Sequence, residues 1–163
     1  MSIIPVVNEK DRIIGYKDRK EIKTEDIYRV SALWITNSHD EVLIAQRSYT
    51  KKNDPGKWGP AVAGTVEKGE TYIANIVKEA YEELGLKNIK PKKGPKYRVH
   101  GEHNHFGQWY FLNIDKNIKE FKIQAEEVEN IKWIAKHILI KDMKNDPSAY
   151  LKSMPSYVEK FCR

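Results

Sequence analysis

Between Thr71 and Gly85 the chain has little conformational choice. Apolar side chains recur at Ile73, Ile76, Val77, Ala80 and Leu84. At ~100° per residue they fall on one stripe, so a helix over Tyr72–Leu84 that buries that stripe is expected. Thr71 suits the N-cap, where its hydroxyl can accept from first-turn amides, and Gly85 suits the left-handed position that closes a helix. The same helix carries Glu79, Glu82 and Glu83 at i, i+3 and i+4, within an arc of ~100° beside the apolar stripe. These carboxylates repel one another. Glu82 and Glu83 also stand at the negative end of the helix dipole, where acids are disfavoured. Two readings fit the residues: a solvated acidic face, or an oxygen ligand set whose repulsion a hard cation such as Mg²⁺ reverses. The broken dipole preference counts against the first.

The rest of the sequence alternates between strand and turn signals. Val6-Val7 and Ile13–Tyr16 read as a hairpin around Asn8–Asp11, and the charged stretch from Lys17 to Asp26 reads as surface chain. Arg29–Ile35 and Glu41–Arg47 are strong strands joined by a turn at Asn37–Asp40, and Tyr49–Trp58 is loop. Tyr97–His100 and Gln108–Ile114 look like paired strands around a His-rich turn, with a further strand at Ile131–Ile134. Short amphipathic helices are expected around Ile138–Met143 and Ala149–Phe161. Several strands, one well-capped helix and C-terminal helices indicate a mixed α+β or α/β sandwich.

At 163 residues a single domain over 1–163 is expected, with an N-terminal hairpin and surface segment over 1–28 and C-terminal helices over 135–163. The lone Cys162 excludes an internal disulfide framework and a Cys-based zinc site, and no apolar run spans a bilayer. No secretory signal is visible at Met1–Pro5, so a reducing, cytoplasmic setting and no membrane partner are expected. Lys and Arg number 29 against 23 Asp and Glu, a net charge of +6, which favours acidic partners such as nucleotides or other phosphates.

The segment from Gly64 to Leu86, GTVEKGETYIANIVKEAYEELGL, resembles the Nudix box, G-x5-E-x7-R-E-U-x-E-E-x-G-U with U aliphatic. Gly64, Glu70, Glu79, Ala80, Glu82, Glu83, Gly85 and Leu86 stand in register. The departure is Lys78, where the family has Arg. The strand-turn-strand upstream and the approach GKWGPAVAG are also similar to that family. The resemblance implies a Nudix-type α/β/α sandwich with a mixed β-sheet and a catalytic helix. It also implies hydrolysis of a diphosphate linkage, typically in a nucleoside diphosphate linked to a moiety X, with Mg²⁺ or Mn²⁺. Carried over by position, Glu82 and Glu83 would be metal ligands, Glu79 a ligand or general base, and Gly64 a backbone carbonyl ligand. Glu70 would pair with the basic residue of the box. Lys78 keeps that charge but lacks the bidentate fork of Arg, which bears on loop rigidity and leaves the carboxylates intact. Nudix-like domains often dimerise, so the resemblance allows a homodimer. It points to a small-molecule diphosphate substrate more than to nucleic acid.

Other residues are open to two readings. Glu102, Glu126 and Glu127 are candidates for a general base outside the box, or are ordinary surface carboxylates. His100, His103 and His105 could gather a transition metal or simply tip a hairpin. Arg29, Arg47 and Lys57, with Lys51 and Lys52, could bind phosphates or be solvated. Trp34, Trp58, Trp109 and Tyr110 could stack a base or fill the core.

A narrower resemblance, to the isopentenyl-diphosphate isomerase branch, rests on the N-terminal hairpin, Arg29–Ala32, Gln46-Arg47-Ser48 with Lys51, and Pro55–Trp58. Those isomerases need a cysteine just before the box glycine and a metal-binding histidine just after it. Here Ala63 and Thr65 occupy those positions, and alanine cannot transfer a proton. The expectation is therefore a hydrolase, with a non-catalytic nucleotide- or RNA-binding module as the alternative and isomerase activity a more distant one.

Overall fold

In the computed structural model, which describes residues 1–162, nine strands and three α-helices form one mixed sheet, a separate hairpin and two helical layers. Arg163, the last residue of the expected C-terminal helical segment, lies outside the described residues. The organising strand is β3 (Tyr28–Thr36), whose Leu33, Trp34 and Ile35 are all buried. A strand apolar on both sides belongs in the middle of a sheet covered on both faces. It pairs in parallel with β8 (His105–Asn113) and antiparallel with β6 (Val62–Thr65), and touches β4 (Glu41–Arg47) only at Thr36–Val42. Beyond these, β5 (Trp58–Pro60) and β9 (Val128–Ala135) pair with β4, and β7 (Lys92–Val99) pairs with β8, all antiparallel.

Alternation along β3 sorts the core into two clusters. Leu33 and Ile35 pack with Leu43, Val62 and Tyr110 against Ile76, Ala80 and Leu84 of helix α1 (Tyr72–Leu84). Ala32 and Trp34 face the other way, with Trp109, Leu139, Met154 and Val158, against α2 (Lys136–Asn145) and α3 (Met154–Phe161). Each fully buried aliphatic side chain contributes about 2 kcal/mol of transfer free energy. The result is the α/β/α sandwich expected. Trp34, Trp109 and Tyr110 are core residues, each no more than 5% exposed, and are not available to stack a base.

Helix α1 begins where the Thr71 hydroxyl accepts from the Ala74 amide at 3.2 Å, and ends at Gly85, φ 69°. A Cβ at Gly85 would lie 2.9 Å from Lys122 Cβ, so both backbone angle and close approach require glycine there. The buried face differs from expectation at one position. Ile73 is 40% exposed and the polar Asn75 is fully buried, because the Asn75 amide is drawn inward by hydrogen bonds.

The N-terminal hairpin, β1 (Ile3–Val7) with β2 (Ile13–Asp18), forms its own two-stranded sheet. It leans on the segment before α1: Lys68 N–H donates to Ile3 O at 2.8 Å and the Ser2 hydroxyl to Glu67 Oε1 at 2.8 Å. The charged stretch after β2 is not all surface, since Asp26 is 9% exposed and accepts from Lys17 Nζ at 2.8 Å. The His-rich turn is shorter than expected and His105 already belongs to β8. The short β6 has no distinct sequence signal. Ala149 lies in a 3₁₀ turn rather than in the last helix. No helix among the described residues is long and apolar enough to cross a membrane.

Candidate active site

A cleft of about 400 Å³ opens along the C-terminal half of α1, between β6, the end of β4 and the approach to β9. One wall is acidic. Glu79, Glu82 and Glu83 project from α1, joined by Glu67 from the loop below and Glu127 from the segment before β9. The helix sets this wall by spacing alone, since positions 79, 82 and 83 share a face. Gly64 runs directly beneath it. A Cβ there would sit 2.5 Å from Glu79 Cγ and 3.1 Å from Asn75 Oδ1, so only glycine lets the β6 backbone reach the carboxylate this closely.

The electrostatics of this wall are strained. Burial, with Glu79 and Glu127 adding their repulsion, pushes the Glu83 carboxyl up to about 8 against the pull of Lys51 and Arg47. Burial likewise raises Glu79, opposed by Lys78 and reinforced by Glu82, Glu70 and Glu67. An all-oxygen donor set under mutual repulsion fits a hard divalent cation. In the arrangement seen, no three acidic, His or Cys side chains among the described residues are gathered closely enough to hold an ion, and Glu79 Oε1 lies 3.7 Å from Lys78 Nζ.

Basic side chains line the same cleft: Arg47, Lys51 and Arg19. Lys51 Nζ is 2.5 Å from Glu127 Oε2, and Arg47 Nε donates to Asn53 O at 2.9 Å. Arg19, delivered by the turn after β2, makes no ion pair among the described residues. Two of the three cations expected to bind substrate lie elsewhere. Arg29 is held by Asp11, Nε to Oδ1 at 2.7 Å, with its guanidinium 5.4 Å over the Tyr72 ring, because the hairpin turn folds onto β3. Lys57 donates to the Ser148 carbonyl and so ties the loop before β5 to the C-terminal segment. Neither lines the cleft.

The remaining candidates divide cleanly. Glu127 lines the cleft, whereas Glu126 does not, and Glu102 is exposed at the tip of the β7–β8 turn. His105 donates from Nδ1 to the His103 carbonyl at 2.7 Å and lies 5.6 Å from the Tyr28 ring, standing in β8 while His100 and His103 lie in the turn before it. Burial holds the His105 pKa below its usual range, with the His103 carbonyl opposing that shift. Trp58 is half-buried under Lys132, whose Nζ is 4.5 Å from the ring centroid. Lys78 Nζ lies 2.5 Å from Glu70 Oε1. Burial would raise Glu70, yet Lys78, the Glu67 amide and Asn75 hold its carboxyl below the ordinary range.

Arg19, Glu67 and Gln124 line the cleft without having been singled out from the sequence, alongside Gln46 of the isomerase-like motif. Arg19 had no signal, because only tertiary packing of the hairpin brings it there. Ala63 also lines the cleft. Cys162, by contrast, packs in the cluster on the far face of the sheet, where burial pushes its thiol up.

The NUDIX domain profile matches residues 27–154. The chain belongs to the NUDIX family. An uncharacterized Nudix hydrolase of Pseudomonas aeruginosa is 25% identical over 146 residues, covering 89% of this chain and 85% of that protein. One from Listeria monocytogenes is 28% identical over 136 residues, covering 82% and 80%. Among solved structures, DR0079 from Deinococcus radiodurans superposes with a TM-score of 0.84 at 22% identity, covering 99% of both chains. The NUDIX domain of Shewanella oneidensis NrtR, solved with ADP ribose, has a TM-score of 0.64 at 15% identity and covers 88% of this chain and 90% of that one. A C. elegans Ap4A hydrolase has a TM-score of 0.57 at 21% identity, covering 82% and 95%. At these identities the structures establish the shared fold, and the sequence relatives and domain match make this NUDIX protein a Nudix-type hydrolase. The matched span leaves out β1, β2 and Arg19.

Proposed function

We propose that this NUDIX protein is a divalent-metal-dependent hydrolase of a diphosphate linkage, acting on a nucleoside diphosphate linked to a moiety X. The observation that carries the reading is one cleft lined by both the helix carboxylates and basic side chains, since a substrate diphosphate and a cation need both. Glu79, Glu82 and Glu83 would hold Mg²⁺ or Mn²⁺ with the Gly64 carbonyl. When bound, the ion neutralises the diphosphate and lowers the pKa of an attacking water. Arg47, Lys51 and Arg19 orient the phosphates by charge and hydrogen bonding. A cleft-facing carboxylate outside that ligand set, Glu127, takes the proton of the attacking water. Glu70, Lys78 and Gly85 hold the frame. Ala63 offers no group that could move a proton on a carbon skeleton, which favours hydrolysis over isomerisation.

ADP ribose and Ap4A, found or named with the structural neighbours, place phosphoanhydrides next to nucleosides and make natural members of a substrate panel. Turnover of nucleotide sugars, ADP-ribose, dinucleoside polyphosphates and nucleoside triphosphates should be measured with Mg²⁺ and with Mn²⁺. At least one compound should be cleaved, and Glu83→Gln should lower its rate by about 100-fold or more. Wild-type turnover in that variant would sink the assignment of Glu83, and a wholly silent panel would favour a nucleotide-binding module.

A further inference from the structure

Lys78 stands where the Nudix box has Arg, and an ammonium grips one carboxylate oxygen where a guanidinium fork grips two. Nothing in the structure leaves the second oxygen of Glu70 loose. Lys78 Nζ takes Oε1 at 2.5 Å, while Oε2 accepts from the Glu67 amide at 2.9 Å and from Asn75 Nδ2 at 2.9 Å. Asn75 is fully buried inside an otherwise apolar helix face. Its Nδ2 also donates to the Thr65 carbonyl at 3.0 Å, and its Oδ1 accepts from the Ser31 hydroxyl on β3. One neutral side chain thus fastens both ends of the Gly64–Glu70 segment to the central strand. Gly64 pairs with Ser31 across β3 and β6, and its missing Cβ would lie 3.1 Å from Asn75 Oδ1 and 2.5 Å from Glu79 Cγ.

We propose that Asn75, anchored by Ser31, is a positioning residue that supplies the half of the fork Lys78 lacks, fixing the Gly64 carbonyl against Glu79. The inference rests on the reading of Gly64 and Glu79 as metal-facing groups. An amide suits the task because it is long enough to reach both Glu70 and Thr65. It also adds no charge to a site already crowded with carboxylates. A buried amide is tolerated only when its donors and acceptor are all used, as they are here.

The test uses the full chain, with Mn²⁺ as the metal probe and free Mn²⁺ followed by electron paramagnetic resonance. Amide exchange over residues 64–70 is measured on the metal-free protein. Asn75→Ala should weaken Mn²⁺ binding by roughly 10-fold and speed exchange in that segment, and Lys78→Arg added to it should restore both. Ser31→Ala, which keeps the Asn75 amide but frees its oxygen, should give the same changes in smaller measure. Should Asn75→Ala fail to fold, Ser31→Ala and its combination with Lys78→Arg carry the test. Unchanged exchange and Mn²⁺ binding in a folded Asn75→Ala protein, or no rescue by Lys78→Arg, would overturn the role of Asn75. A Glu83→Gln protein that binds Mn²⁺ as tightly as the wild type would instead overturn the metal-site reading itself, while leaving the exchange result to judge the brace.

Discussion

Gly64 shows how much one missing atom can decide. The space its Cβ would need is taken by Glu79 Cγ, and its neighbour Asn75 has no slack to give, being bonded on three sides. Gly64→Ala must therefore displace Glu79 or the β6 backbone. The expected cost is about 1–3 kcal/mol of overpacking, which at this chain length lowers Tm by about 2–4 °C per kcal/mol. Turnover should fall far more than stability does, because the displaced group is a proposed metal ligand. Melting curves and rates on one preparation check this, and a variant with wild-type activity would remove Gly64 from the site. At this scale the acidic triad was legible in the sequence, because helical spacing fixes which side chains share a face. Arg19 was not, and neither was the diversion of Arg29 to Asp11 and of Lys57 to Ser148. A cation's choice of partner depends on which loop folds over it, and local sequence carries no record of that.

Helix α1 carries the acidic wall, so its seating on the sheet bears on the cleft. Leu84 anchors its last turn, fully buried against β3, β4 and β8 residues, one position beyond Glu83. Leu84→Ala should cost about 2–5 kcal/mol, read by urea denaturation. A loss below about 1 kcal/mol would mean that the turn reseats itself. The helix, its Thr71 cap and its Gly85 stop were readable because each depends on neighbours a few residues away. Its buried face was misread at one position, since Ile73 yields to Asn75. Periodicity ranks residues by hydropathy and takes no account of three hydrogen bonds waiting for an amide. The short β6, with a glycine among its residues, escaped for a related reason: its strand character comes from β3 alongside it rather than from its own side chains.

Across the whole molecule the +6 net charge conceals local order. Asp11 sits among Arg29, Lys96 and Tyr72, linking the hairpin turn to β3, β7 and α1, with Lys96 Nζ 2.7 Å and Tyr72 Oη 2.9 Å from Oδ2. Burial alone would raise the Asp11 carboxyl, but hydrogen bonds from Lys96, Arg29 and Tyr72 hold it below the ordinary range; Asp26 is held down in the same way by Lys17 and the Lys23 amide. A carboxyl with a depressed folded pKa stabilises the fold above its unfolded value and loses that contribution as pH falls through the folded one. Stability should thus decline on acidification from the ordinary carboxylate range downward. Asp11→Asn should be less stable at neutral pH and show a shallower acid loss, measured by Tm against pH. Parallel curves for the two proteins would deny Asp11 that role. Fold class was the most legible feature at this scale, because alternating strands, a capped helix and apolar C-terminal segments admit few layer arrangements. The gathering of both charges in one cleft was not legible, since composition sums them without saying where they meet.

The cleft gathers side chains as far apart along the chain as Arg19 and Leu151, and Leu151 donates its amide to the Trp58 carbonyl at 2.9 Å. During synthesis, therefore, the acidic helix leaves the ribosome well before the segment that completes its enclosure. Until Gln124, Glu127, Val128 and Leu151 have followed, Glu79, Glu82 and Glu83 stand on a helix whose cleft lacks part of its lining.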